Sequence, residues 1–187
     1  MAEPEVLMLR LNKAFGKENP HDLREITNIS TSNFAIYQKK IWLSLSLISY
    51  VLSKMVQKPR YENLLGGKFS ERISEGLQRA AAFCKLKKEK ECQDELDQII
   101  LQIQNMETKD RRFISDLVVK GRTKTAALLY AQGLSLDTSV ELTGAERNEV
   151  LSYTGKTMMP DRMGKTLSAR ERLAYARKLV KGKRQGK

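Results

Sequence analysis

The sequence predicts an all-α protein. Apolar side chains recur at spacings of three and four almost throughout, with no convincing run of period-two alternation. The 4 prolines and most of the 11 glycines punctuate these stretches rather than interrupt them. Hydrophobic residues make up 41% of the chain, enough for a folded core and too many for a disordered polymer. The pattern divides the chain into a helical bundle over residues 1–107, a small tri-helical domain over 108–160 and a basic helical extension over 161–187.

The chain opens on a short amphipathic segment carrying Val6, Leu7, Leu9, Leu11 and Phe15, and a loop containing Pro20 and Asn28 is expected after it. A long helix is predicted over 32–57. Ile41, Leu45, Ile48, Leu52 and Met55 form one stripe on it, and Leu43, Leu47 and Val51 a second, so it must be packed on two sides. Ser46, Ser49 and Ser53 share the remaining face, which reads equally as a solvated strip or as a small-residue track for a close neighbour. The segment 41–56 is short of the roughly 20 residues needed to span a bilayer and holds four serines, so a buried core helix is expected and no membrane span.

Pro59, Gly66 and Gly67 mark the next break. Beyond it a helix is predicted to start near Ser70 as N-cap, with Ile73, Leu77, Ala80 and Cys84 on one face. Its partner over 91–106 repeats the rhythm with Cys92, Leu96, Ile99, Ile103 and Met106. The mixed-charge stretch between them reads as a hinge or as a solvated helical segment, the hinge being preferred. Cys84 and Cys92, the 2 cysteines, fit neither a CxxC motif nor a zinc spacing, and they are expected to pack as reduced, small apolar residues. The first ten residues carry Glu3 and Glu5 and no cleavable apolar region, so a cytoplasmic protein is expected.

Charge distinguishes the two halves. The chain carries 34 Lys and Arg against 22 Asp and Glu, for a net of +12. Residues 1–107 hold 16 basic and 14 acidic side chains, whereas 108–187 hold 18 and 8. Such a field attracts polyanions and speeds their encounter without saying which polyanion.

The second half is predicted as shorter helices separated by glycines: one over 113–118, a break at Gly121, and one over 125–132 ending at Gly133. Residues 134–153 follow, with Ser139 and Val140 as small residues of a first helix and Leu142 and Thr143 where it packs. Gly144 stands at a sharp turn, Ala145 just after it, and Val150 and Tyr153 on the buried side of a second helix. Two helices that cross steeply over a three- to four-residue turn need a glycine and small side chains at those places. This stretch resembles the helix-turn-helix family, directly over about 20 residues and over about 45 if the preceding helix is counted as the first of three.

The resemblance implies a DNA-binding regulator, DNA being favoured over RNA, whose second helix presents Glu146, Arg147, Asn148 and Ser152 to base edges. Arg147 matches guanine and Asn148 adenine, each in two-point geometry. Carboxylates dominate 137–153, with Asp137, Glu141, Glu146 and Glu149 against Arg147 alone, and on such a helix they must accept from cytosine amino groups or face away from the groove. The two-fold habit of these proteins implies a homodimer through the N-terminal bundle.

Gly-Lys-Thr occurs twice, at 155–157 and 164–166, but Val150 and Met159 stand where a P-loop needs its first glycine. These lysines read instead as backbone contacts, alongside a final helix that a Ser168/Glu171 capping box introduces. The expected phosphate contacts are Lys124, Lys156, Arg162, Lys165, Arg170, Arg177, Lys178 and Lys181. Catalysis finds no support: the sole histidine, His21, reads as a helix-start residue, and neither a nucleophile motif nor a metal-ligand spacing occurs, so no enzyme, cofactor or metal is expected. The competing expectation is a non-enzymatic protein-interaction adaptor whose acidic helix pair binds a protein and whose basic tail binds RNA or an acidic surface.

Overall fold

A computed structural model of the chain describes residues 3–61, 65, 67–109 and 117–157, and these are helical with no strand among them. The helices are α1 (Pro4–Gly16), α2 (Pro20–Tyr37), α3 (Lys40–Val56), α4 (Lys68–Lys85), α5 (Glu89–Lys109), α6 (Leu117–Ala131), α7 (Leu136–Thr143) and α8 (Arg147–Thr157), with a 3-10 turn at Pro59–Tyr61. The basic extension over 161–187 lies outside the described residues.

α1 buries Leu7, Met8, Leu11, Ala14 and Phe15. Val6 and Leu9, expected on that face, are instead exposed, because a 3.6-residue period turns them outward once Leu7 and Leu11 face in. The loop expected around Pro20 and Asn28 is helical. Asn19 caps α2 by accepting from the backbone N–H groups of His21 and Asp22, Pro20 fills the first turn where its missing donor costs nothing, and Asn28 lies inside the helix.

The single helix expected over 32–57 is two. Gln38, in the left-handed region at φ 52°, donates its backbone N–H to the Phe34 carbonyl and ends α2, and α3 starts again at Lys40. This break lets α2 and α3 fold back on each other, in an antiparallel register set by pairs of buried hydroxyls. Thr27 Oγ1 lies 2.9 Å from Ser49 Oγ, and Thr31 Oγ1 lies 2.8 Å from Ser46 Oγ. Ser46 Oγ also lies 3.2 Å from Thr125 Oγ1 of α6. The serine face of α3 is therefore the small-residue track: Ser46, Ser49 and Ser53 are all buried, and two neighbouring helices close on it. Each hydroxyl has a partner, as burial requires.

α4 begins at Lys68 after Gly67, two residues before the predicted Ser70 cap. It packs on α1 and pairs with α5. Gly76 permits that pairing, since a Cβ there would lie 3.0 Å from Ile99 Cγ1. The preferred hinge between them is a turn in which Lys87 takes a φ of 58°. A disulfide joins Cys84 to Cys92 across this turn, with Cα atoms 5.5 Å apart. The expectation of two reduced cysteines is corrected here: the turn brings residues eight apart in sequence to bonding distance, which helical spacing alone would not.

One core joins these elements, from Leu7, Leu11 and Leu23 through Leu45, Ile48 and Leu52 to Ile73, Leu96 and Ile103, and it takes in Leu117, Val118 and Leu129 of α6. Gly121 is not a break. It lies within α6 at the crossing with α3, where a Cβ would lie 3.1 Å from Tyr50 Cδ1 and 3.2 Å from Leu47 Cδ2. None of the described helices is long and apolar enough to cross a membrane.

Candidate nucleic-acid interface

The last three described helices form a small unit on the flank of α3. Ser135 caps α7 by accepting from the Thr138 backbone N–H, and Gly144 ends it at φ 64°, donating its N–H to the Val140 carbonyl. α8 then starts at Arg147. Two helices thus meet at Gly144, as the spacing of 134–153 requires. Ala145 of the turn and Val150 of α8 are buried against Ala126 and Ala127 of α6, with Leu136, Val140 and Tyr153 packed around them. Alanine at these positions permits close approach of the backbones.

The polar packing residues find local partners. Thr143 donates to the Ser139 carbonyl at 2.7 Å and Thr154 to the Val150 carbonyl at 3.0 Å. Such back-bonding satisfies a buried hydroxyl without a neighbour, which is how threonine occupies a place where an apolar residue is usual. Thr123 Oγ1 donates to Glu149 Oε2 at 3.0 Å and ties α6 to α8.

Glu146, Arg147, Asn148 and Ser152 are all exposed, on or just before α8. Arg147 is not free: its guanidinium pairs with the Asp137 carboxylate in the first turn of α7. Glu141 and Glu146 are also exposed, so the described surface of α7 and α8 carries more carboxylate than cation. Lys156 is exposed in the last turn of α8. Lys124 stands elsewhere, half-buried on α6 with its Nζ 5.0 Å from the centre of the Tyr50 ring. Arg162, Lys165, Arg170, Arg177, Lys178 and Lys181 lie outside the described residues.

Two groups invisible to sequence reading accompany Lys124. Lys54 places its Nζ 5.6 Å from the same ring. Arg24, on α2, donates to Gln57 Oε1 and is near enough to act on Lys124. Burial, then Lys54, then Arg24 push the Lys124 ammonium below the usual lysine range. Burial, and after it Tyr153, push the Tyr50 hydroxyl upward. Only the i, i+4 spacing of Tyr50 and Lys54 is local enough to read from the sequence.

On the other side of α6 an open groove of about 480 Å³ runs between α3, α5 and α7, lined by Leu43, Leu47, Ile100, Leu101, Leu142 and Arg122. His21 starts α2 as expected and lies near Asp22 and Glu25, but Arg10 already pairs with both carboxylates, at 3.8 and 2.6 Å, and all three side chains are at least partly open to solvent. No family model, no curated protein and no solved structure matches the chain.

Proposed function

We propose that the chain is a nucleic-acid-binding protein, a DNA-binding regulator that uses a helix-turn-helix formed by α6, α7 and α8 together with its basic C-terminal residues. The observation that carries this reading is the α7–Gly144–α8 corner: a left-handed glycine, a core of small side chains, and a row of exposed polar residues at the start of the second helix. That is the geometry in which a helix can enter a major groove by its N-terminal end. In this reading Asn148 and Ser152 face base edges, and Arg147 must leave Asp137 to reach guanine. The cationic residues beyond 158 supply sequence-independent affinity, and the helices of residues 1–107 supply a homodimer contact.

A second reading is favoured by the Arg147–Asp137 pair itself. If that pair holds, the face of α7 and α8 stays acidic, and the protein is a non-enzymatic adaptor that offers this face to a basic protein and its basic tail to RNA or an acidic surface.

Competition between a selected duplex and scrambled duplex separates the two, because phosphate contacts carry no base information. The regulator reading expects a sequence preference that the Arg147→Ala and Asn148→Ala variants each weaken by about 1–3 kcal/mol per lost base contact. An unchanged preference in both variants would overturn base reading by α8.

A further inference from the structure

Five cations among the described residues pair with carboxylates. Arg10 pairs with Glu25, Lys39 with Glu89, Lys40 with Asp97, Arg79 with Glu95 and Arg147 with Asp137. The group around Tyr50 breaks this habit. Lys54 from α3 and Lys124 from α6 converge there, Arg24 of α2 is near enough to act on Lys124, and none of the three is paired with a carboxylate among the described residues. Two ammonium groups instead lie over one aromatic ring, at 5.0 and 5.6 Å from its centre.

Such an arrangement is costly to the empty protein. Lys124 is half-buried, so its charge gives up water, and among the described residues it faces two like charges rather than a counter-ion. A ring quadrupole offsets only a part of that cost. Half-buried charge with no carboxylate beside it among the described residues favours an anion as its partner.

We propose that Lys54 and Lys124, which lie over Tyr50, form with Arg24 of α2 a binding site for a phosphate ester. The guanidinium offers a planar fork for two oxygens, and the ammonium groups act as point charges on either a terminal phosphate or a bridging diester. The partner is one phosphate of a polynucleotide backbone or a free phosphorylated small molecule. The site goes beyond the α8 interface, because it is built on α2, α3 and α6 and requires neither base contacts nor the residues past 157.

The test uses the full chain. Wild type, a Lys54→Met/Lys124→Met double variant and a Lys54→Arg/Lys124→Arg double variant are titrated with pyrophosphate by calorimetry, and with a labelled oligothymidylate by anisotropy over a range of salt. Circular dichroism confirms helical content, and Lys54→Gln alone serves as the milder charge loss if the double methionine variant does not fold. A backbone site predicts that oligothymidylate binding falls at least about tenfold in the methionine variant. Its log–log salt slope should fall by about 0.7 for each lost contact, and both effects should be restored by arginine. A small-molecule site predicts that pyrophosphate binding is lost in the methionine variant while oligothymidylate binding is kept. Either result supports the site. It is overturned if wild type binds neither probe, or if the charge-loss variant binds both as wild type does. If the methionine variant binds both probes as wild type does and keeps a sequence preference on duplex DNA, this site fails while the α8 reading stands.

Discussion

Replacing Gly121 by valine should displace α6 from α3, and the cost can be worked from the crossing. A Cβ at this position meets Tyr50 Cδ1 at 3.1 Å and Leu47 Cδ2 at 3.2 Å, against ordinary carbon contacts of about 3.5–4.0 Å. Leu47 is buried and Tyr50 half-buried, so neither ring nor branch has much room to yield. Overpacking of this kind costs about 1–3 kcal/mol. Helix propensity works the other way, since alanine is better than glycine by about 1 kcal/mol in a helix interior. Gly121→Ala should therefore be near neutral to about 2 kcal/mol destabilising. Valine recovers less of the propensity and adds two methyl groups, so Gly121→Val should lose about 2–3 kcal/mol. Urea unfolding of the full chain, read as a shift of midpoint at constant slope, measures this. Gly155→Ala is the control: a Cβ there has nothing within 4 Å, and this variant should gain up to about 1 kcal/mol. If Gly121→Val is as stable as wild type, or if both glycines respond alike, the close crossing of α3 and α6 is wrong.

Two further outcomes follow from buried polar groups. Ser46→Ala removes the hydroxyl shared by Thr31 and Thr125 and should cost about 1–3 kcal/mol in the same urea assay, whereas exposed Ser152→Ala should change stability by less than about 0.5 kcal/mol. Lys124→Met should leave the melting temperature equal or higher at neutral pH while weakening anion binding. The sign comes from linkage. A lysine whose folded pKa is depressed binds fewer protons folded than unfolded, so it costs stability in full at pH values below the folded pKa. That cost is relieved as pH rises from the folded pKa through the unfolded one near 10.4. The gain from Lys124→Met should accordingly shrink as pH is raised toward that value.

Helical periodicity made most of the fold readable. The stripes of α3, α4 and α5 are buried except for Leu43, Cys84 and Met106, which are partly buried against the same core, and Gly144 turns the chain where a left-handed residue was needed. What escaped had a tertiary or conformational cause. Gln38 and Lys87 take left-handed conformations usually left to glycine, so the ends of α2 and of the turn after α4 carry no composition signal. Gly121 looked like punctuation because a glycine that admits a neighbouring helix cannot be told from one that breaks its own. The cysteine pairing depended on that same unmarked turn.

The candidate site divides along the same line. Glu146, Arg147, Asn148 and Ser152 lie within one local motif, and their exposure follows from the burial of Ala145, Val150 and Thr154. The Arg147–Asp137 pair spans ten residues and a turn, so only the folded chain reveals it. Arg24, Lys54 and Lys124 come from three helices, and no spacing rule connects them.

The proposal that this helical protein binds nucleic acid is tested most directly by selection from mixed random DNA and RNA pools with the whole chain. It predicts recovery of nucleic acid with an enriched duplex DNA motif, and a steep loss of binding as salt is raised from about 50 to 200 mM. Recovery of no nucleic acid at the lower salt would contradict it.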